Sequence, residues 1–499
     1  MSDSSMPTSA GPSQMRDAGG TAVPSQSNLA PHGQRIEDPA PTTPFASLRT
    51  LTPPMPLPRC FTPRDRSDYL FFAALLALPM DGTVLGFFQP FWTPLSPWLL
   101  VLYCLTNHRL LRQTMHRYAP FVMLPVVLVV LSMPGWAVFG LHNNAVVMSL
   151  TGVIAVPATL CALDIAYVHK RLSWQESVRA IIAIYWFAFA IGIVQWLSIT
   201  LRLGSVQGYF SHLMYRSYII AGSAWGMSGA RPQFLFAEPS YIGMHLFGIL
   251  LPLFWFMRIR DRIFASRLRH LIIVFAVGSV LMGSGTRIVL DSLVALIAVI
   301  VMETHWRNTD ERRKGILRLI GTLALAVVCV MANSRLDSIL HNGMEGDGSF
   351  FARIWQSLAP LCGLVRHPWA LLTGYGAGNI AEATHNGADW SAAILRFMHT
   401  DPTGALSWYR SINADTVWTM SAYTNFLTEF GLIGFALFLT ISFGFIHRYH
   451  RWNKLTIVWL LLVMYLYVQF EGYAFAAIPL MIWALTRLDE FIHVDDAIE

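Results

Sequence analysis

The chain has 499 residues, 54% of them hydrophobic and only 13% charged, with a mean hydropathy of +0.47. A soluble protein of that length has no core large enough to bury so much apolar surface, which excludes an ordinary water-soluble domain and predicts an all-α polytopic membrane protein. The formal net charge of +6 arises from 35 Lys and Arg dispersed through short loops, which argues against a nucleic-acid-binding face.

Residues 1 to about 66 are rich in Pro, Ser, Thr, Gly and Ala and nearly free of aromatic side chains, a composition that cannot offset its ordering entropy. A disordered cytoplasmic tail is predicted there. No basic start runs directly into an apolar stretch, so the first span is expected to serve as the insertion signal. Twelve apolar runs follow, near residues 69–88, 91–106, 119–140, 144–168, 178–201, 239–257, 270–283, 286–302, 316–333, 421–446, 455–469 and 473–487. Nine spans thus occupy 67–333 and three occupy 421–488, with a short cytoplasmic tail at 489–499. The runs at 270–283 and 286–302 are separated by the Gly283-Ser-Gly-Thr-Arg287 turn, which predicts a tight hairpin.

Lys and Arg flanking spans are retained on the cytoplasmic side. With the N-terminus inside, the inner segments hold 26 of the 35 Lys and Arg, including all three lysines. The other nine are Arg202, Arg216, Arg231, Arg287, Arg335, Arg353, Arg366, Arg396 and Arg410, all on the outer face. Twelve spans return the C-terminus to the cytoplasm. Of the five cysteines only Cys362 falls in an outer loop, so no disulfide framework is available there, and no Cys/His metal-ligand spacing or cofactor motif appears.

Two outer segments are longer than turns. In 202–238 the stretch Gly208-Tyr-Phe-Ser-His-Leu-Met-Tyr-Arg216 is amphipathic and suits the membrane interface. The segment 334–420 is long enough for a small helical cap, and carries Arg353 on a helical pattern followed by Arg366-His367-Pro and Gly374-Tyr-Gly376-Ala-Gly-Asn379. Glycines there permit close approach of backbone to a ligand, or simply make a turn.

Taken in order, Arg231 ahead of Glu238-Pro-Ser, Gly283-Ser-Gly-Thr-Arg287, Arg353, His367-Pro with the glycine-rich Gly374–Asn379 stretch, and Asn425-Phe-Leu-Thr-Glu429-Phe-Gly-Leu-Ile-Gly434 form a recognisable series. It resembles the O-antigen ligase/polymerase superfamily, over roughly residues 225–445, and its Glu-Pro-Ser form is most like the polymerases of bacterial exopolysaccharides. The resemblance implies a glycosyltransferase of the bacterial inner membrane that joins undecaprenyl-pyrophosphate-linked oligosaccharide repeat units at the periplasmic face, with a flippase and a chain-length regulator as partners and no cofactor. It implies substrate-binding roles for Arg353, Arg366, His367, Gly374, Gly376 and Asn379. Two alternatives stay open: a ligase transferring glycan to lipid A core, and a transporter of the lipid-linked unit. The ligase branch carries a histidine where this chain has Met420, and membrane-embedded Asp81, Asp164, Asp291 and Glu429 suit a transporter.

The residue types fit such chemistry. Breaking a sugar to pyrophosphate bond releases a polyanion, and guanidinium groups neutralise it better than ammonium because they are planar, always charged and bidentate. Arg231, Arg287 and Arg353 are the expected cradle. Glu238 is the carboxylate nearest in sequence to an outer arginine motif and hence the candidate base, although Glu238-Pro239-Ser240 is also a common way to begin a helix. Arg287 and Asp291 stand four apart on one helical face, a spacing that predicts pairing.

Overall fold

Long runs of Leu, Val, Ile and Phe without charges fold as helices, because in hydrocarbon every backbone N–H and C=O must be satisfied within its own segment. The computed structural model describes residues 63–86, 93–222, 229–332, 334–343, 348–415, 417, 419, 421–468 and 477–495. These are helical throughout apart from turns and irregular connections, and an isolated bridge between Thr83 and Met214 is the only β pairing among them. Most of the expected N-terminal tail, with Trp418 and Met420, lies outside the described residues.

Among the described residues, seven helices are long and apolar enough to cross a membrane: Ala119–Phe139, Asn143–His169, Trp174–Thr200, Pro239–Arg260, Arg262–Leu281, Thr309–Ala332 and Ala422–Arg448. The other expected runs are shorter or more charged. The run at 69–88 gives only the helix Asp68–Leu76 and a turn at Leu78–Met80, where Pro79 removes a backbone donor. Leu95–Thr106 and Lys454–Tyr467 have 12 and 14 residues, which at helical rise reach roughly 20 Å against about 30 Å of hydrocarbon. Thr286–Glu303 has 18 residues but carries Arg287, Asp291 and Glu303. The last helix, Ala477–Asp495, continues past the expected end of its span.

Among the described residues, several ionisable side chains inside the bundle have ion-pair or hydrogen-bond partners that offset their desolvation. Arg487 reaches Asp164 at 2.6 Å, and Tyr118 and Trp483 donate to the same carboxylate at 3.1 and 2.8 Å. Near the start of the described chain, Lys170 bridges Asp65 and Asp68 at 2.5 and 2.8 Å. Glu429 accepts from the Ser149 hydroxyl at 2.5 Å and from the backbone N–H of Gly378 at 2.8 Å.

The segment 334–420 carries helices Ser334–Asn342, Gly348–Arg366, Pro368–Thr373, Ile380–Phe397 and Thr403–Ser411. Two of them cross at small residues: a Cβ added at Gly387 would lie 1.8 Å from the carbonyl oxygen of Ala359, and one at Gly363 would lie 2.1 Å from that of Ala383. Neither contact is with a flexible side chain that could yield. Gly387→Val is therefore expected to push the helices apart and cost about 1–3 kcal/mol, read as a lowered thermal midpoint of the detergent-solubilised protein.

Candidate functional site

The bundle has two chemically different ends. At one, Arg258 pairs with Glu303 at 2.8 Å and Lys454 donates to the carbonyls of Met302 and Thr304. At the other, the Pro239–Arg260 span begins beside Glu238, Thr286–Glu303 begins beside Gly285, and Lys454–Tyr467 carries Tyr465 in its last turn. The candidate site lies at this second end.

Its loop is held by two buried glutamines. Gln195, on the Trp174–Thr200 span, accepts from the N–H groups of Gln233 and Phe234 at 3.1 and 2.8 Å and donates to the carbonyl of Phe234 at 2.8 Å. Gln233 accepts from Tyr218 N–H at 2.7 Å and donates to the carbonyls of Arg216 and Phe236 at 2.8 and 3.2 Å. Together they hold Phe234 in a left-handed backbone conformation, φ 60°, which a bulky residue adopts only when its surroundings over-determine it. The same bonds lay the 216–218 strand of chain beside Glu238.

Arg216 and Glu238 form an ion pair at 2.9 Å, with side chains 2% and 10% exposed. The Ser240 hydroxyl donates to the other carboxylate oxygen at 2.7 Å, and the Tyr218 hydroxyl also bonds to Glu238. Burial alone would raise this carboxyl, but the Arg216 guanidinium, the Ser240 hydroxyl, the Arg353 charge and the Tyr218 hydroxyl outweigh it and hold Glu238 below the ordinary glutamate range. A carboxylate held ionised in that way is a weak proton acceptor. Glu238 is thus held by an ion pair with Arg216 and by hydroxyl bonds from Ser240 and Tyr218.

Because the folded carboxyl is the stronger acid, its stabilisation is complete above the unfolded value and disappears on acidification through the lowered folded one. As the pH falls from about 4.3, the unperturbed glutamate value, through the lower folded one, the thermal midpoint of the protein is expected to fall toward that of Glu238→Gln, which lacks this titration.

Arg231 lies with its guanidinium carbon 5.2 Å from the centre of the Tyr218 ring, and its N–H donates to the Tyr218 carbonyl at 2.9 Å. A Cβ added at Gly285 would sit 4.0 Å from an Arg231 nitrogen, so the loop reaches the Gly-Ser-Gly turn. The helix that starts there has a glycine, Gly285, at its N-cap, which supplies no side-chain cap. Arg287 pairs with Asp291 at 3.3 Å, as the four-residue spacing predicts, and donates to the Leu466 carbonyl at 3.3 Å; the Tyr465 hydroxyl donates to Asp291 at 3.0 Å. A Cβ at Gly243 would strike Asp291, which seats the Glu238-bearing span directly against the Arg287 helix. Arg353 is near enough for its charge to act on both Glu238 and Asp291. Arg216, Arg231, Arg287 and Arg353 thus gather with Glu238 and Asp291 at this end of the bundle.

The remaining candidates lie elsewhere. Arg366 donates to the Asn386 carbonyl at 3.1 Å, and the His367 ring packs against Phe139, Trp369 and Tyr375. Gly374, Gly376 and Gly378 all have positive φ, and their Cα atoms press on the backbones of Glu429, Ser132 and Ala145–Val146. Asn379 donates to the carbonyls of Gly140 and Tyr375 at 3.1 and 2.9 Å. Gly374, Gly376, Gly378 and Asn379 thus pack the 334–420 segment against the bundle. Arg216 is the member of the site that the sequence alone did not single out. Its only signal was its place among the outer arginines.

The fold and the site define an all-helical protein with several membrane-crossing helices and a cationic cluster at one end of the bundle. No family model and no curated protein matches the chain.

Proposed function

We propose that the protein polymerises undecaprenyl-pyrophosphate-linked oligosaccharide repeat units at the periplasmic face of the bacterial inner membrane. In this proposal the chain crosses the membrane twelve times with both termini in the cytoplasm, and 334–420 lies outside. The observation that supports it is the gathering of Arg216, Arg231, Arg287 and Arg353 at one end of the bundle, near the start of the Thr286–Glu303 helix. Guanidinium groups gathered in this way suit a diphosphate, which they can bind in a bidentate manner.

In the transfer the acceptor hydroxyl attacks the anomeric carbon of the donor sugar and a new glycosidic bond forms. The bond from that carbon to the diphosphate oxygen breaks, the diphosphate leaves with the electron pair, and the hydroxyl proton passes to it. Arg231, Arg287 and Arg353 stabilise the charge that develops on the leaving group, and Arg216 adds to the field while held by Glu238. A strain lacking the protein is expected to accumulate lipid-linked single repeats on the outer face of its inner membrane. Accumulation on the inner face would instead favour a flippase, and loss of glycan from lipid A core alone would favour a ligase.

A further inference from the structure

A second cationic feature lies at the opposite end of the bundle from Glu238, where Arg258 pairs with Glu303, and is independent of the function proposed above. Between Arg258 and Arg269 the chain carries five arginines and one acid, Asp261. The Asp261 carboxylate accepts from the N–H groups of Ile263 and Phe264 at 2.8 and 3.2 Å, and so caps the Arg262–Leu281 helix. That cap leaves a single residue between two spans, so Arg260 ends one and Arg262 starts the next.

Packing then brings in the start of a third span. The Trp174 and Phe264 rings meet edge to face with centroids 5.8 Å apart. The guanidinium carbon of Arg260 lies 5.9 Å from the centre of the Trp174 ring, and those of Arg179 and Arg267 each lie 5.7 Å from the centre of Phe264. A guanidinium held over a ring gives its face to the π system and keeps N–H donors along its edge, in the fork that matches two phosphate oxygens. Arg179 and Arg267 are exposed and Arg260 is half-buried. Glu176, in the first turn of Trp174–Thr200, is the other acid close to these arginines in sequence.

Depth selects the source of the anion. Arg179 and Arg267 stand five residues inside the ends of Trp174–Thr200 and Arg262–Leu281, roughly 8 Å at helical rise. Ile259 and Ile263 flank the turn and are 57% and 58% exposed. Arginines just within the ends of apolar spans, beside bare aliphatic side chains and a tryptophan, face the headgroup layer of a bilayer.

The geometry points to a binding site for an anionic phospholipid, with its phosphate against the edges of Arg179, Arg260 and Arg267 and its acyl chains along the exposed isoleucines. A zwitterionic head brings an ammonium that the same arginines repel, so a head of net negative charge binds better.

The test incubates the full-length protein with dioleoyl phosphatidylglycerol or dioleoyl phosphatidylcholine and measures bound lipid by native mass spectrometry. The two differ only in the head, and phosphatidylglycerol is expected to bind at least about tenfold more tightly. Arg179→Gln/Arg267→Gln should erase most of that preference. Arg312→Gln/Arg313→Gln, which removes two exposed arginines from the first turns of Thr309–Ala332, should keep it. A phosphatidylglycerol with a diazirine near its head is expected to crosslink within 174–179 and 259–267 of the unaltered protein. Equal binding of the two lipids, equal losses in the two double variants or crosslinks confined to other segments would overturn the site. Displacement of the lipid by inorganic phosphate at matching concentration would overturn it too, by assigning the arginines to a soluble anion. The lipid comparison and the crosslink map need no variant, so a misfolded variant leaves the outcome decided.

Discussion

Arg231→Ala is expected to lower polymer formation by about 10²–10³-fold while the protein still inserts, because each guanidinium removed from a preorganised, partly buried cluster takes away stabilisation of charge that appears only as the diphosphate leaves. Polymer length in complemented deletion cells, normalised to membrane-inserted protein, is the measurement. Arg287→Ala should do the same, but it also strands Asp291, whose carboxylate is 1% exposed and takes Arg287 as its ion-pair partner. The double variant Arg287→Ala/Asp291→Ala removes both charges. If its fold is restored and polymer is still lost, Arg287 acts on a ligand; unchanged long polymer in both Arg231→Ala and the double variant would overturn the proposed site.

The second large effect concerns stability. Arg216→Ala leaves the Glu238 carboxylate buried with its principal counter-charge gone, and is expected to cost about 3–5 kcal/mol. Adding Glu238→Ala should recover most of that loss, since the double variant buries neither charge. The two single variants and the double variant, compared by thermal unfolding in detergent, form a cycle whose coupling energy reports the pair. A coupling near zero would mean that the pair does not hold the loop. Loss of polymer in a double variant that folds normally would separate the contribution of Arg216 to the ligand from its contribution to the loop.

Much of this protein is legible in its residues. Hydropathy and length marked the helical membrane class, because a span must be apolar and satisfy its backbone internally whatever it packs against. The spacing of Arg287 and Asp291 announced their pairing, since residues four apart on a helix are neighbours by geometry alone. The number of full-length helices was less legible: Pro79 and the charges of Thr286–Glu303 act within runs that remain apolar on average. The glycine-rich Gly374–Asn379 stretch announced close approach but not what approaches, and the neighbour proved to be the backbone of Ser132, Ala145 and Glu429.

By itself, then, the sequence determined the helical membrane character, the uneven spread of basic residues among the segments between apolar runs and the nearness of Arg231 to Glu238 along the chain, all properties carried by composition and local spacing. Tertiary structure alone decided that Glu238 faces Arg216, that Gln195 and Gln233 hold the loop between them, and that Arg179 joins Arg260 and Arg267 at the Trp174 and Phe264 rings. The reason is physical: a local period fixes which face of a helix a residue occupies, while partners separated by tens of residues are chosen only when burial forces each charge and each backbone polar group to find one.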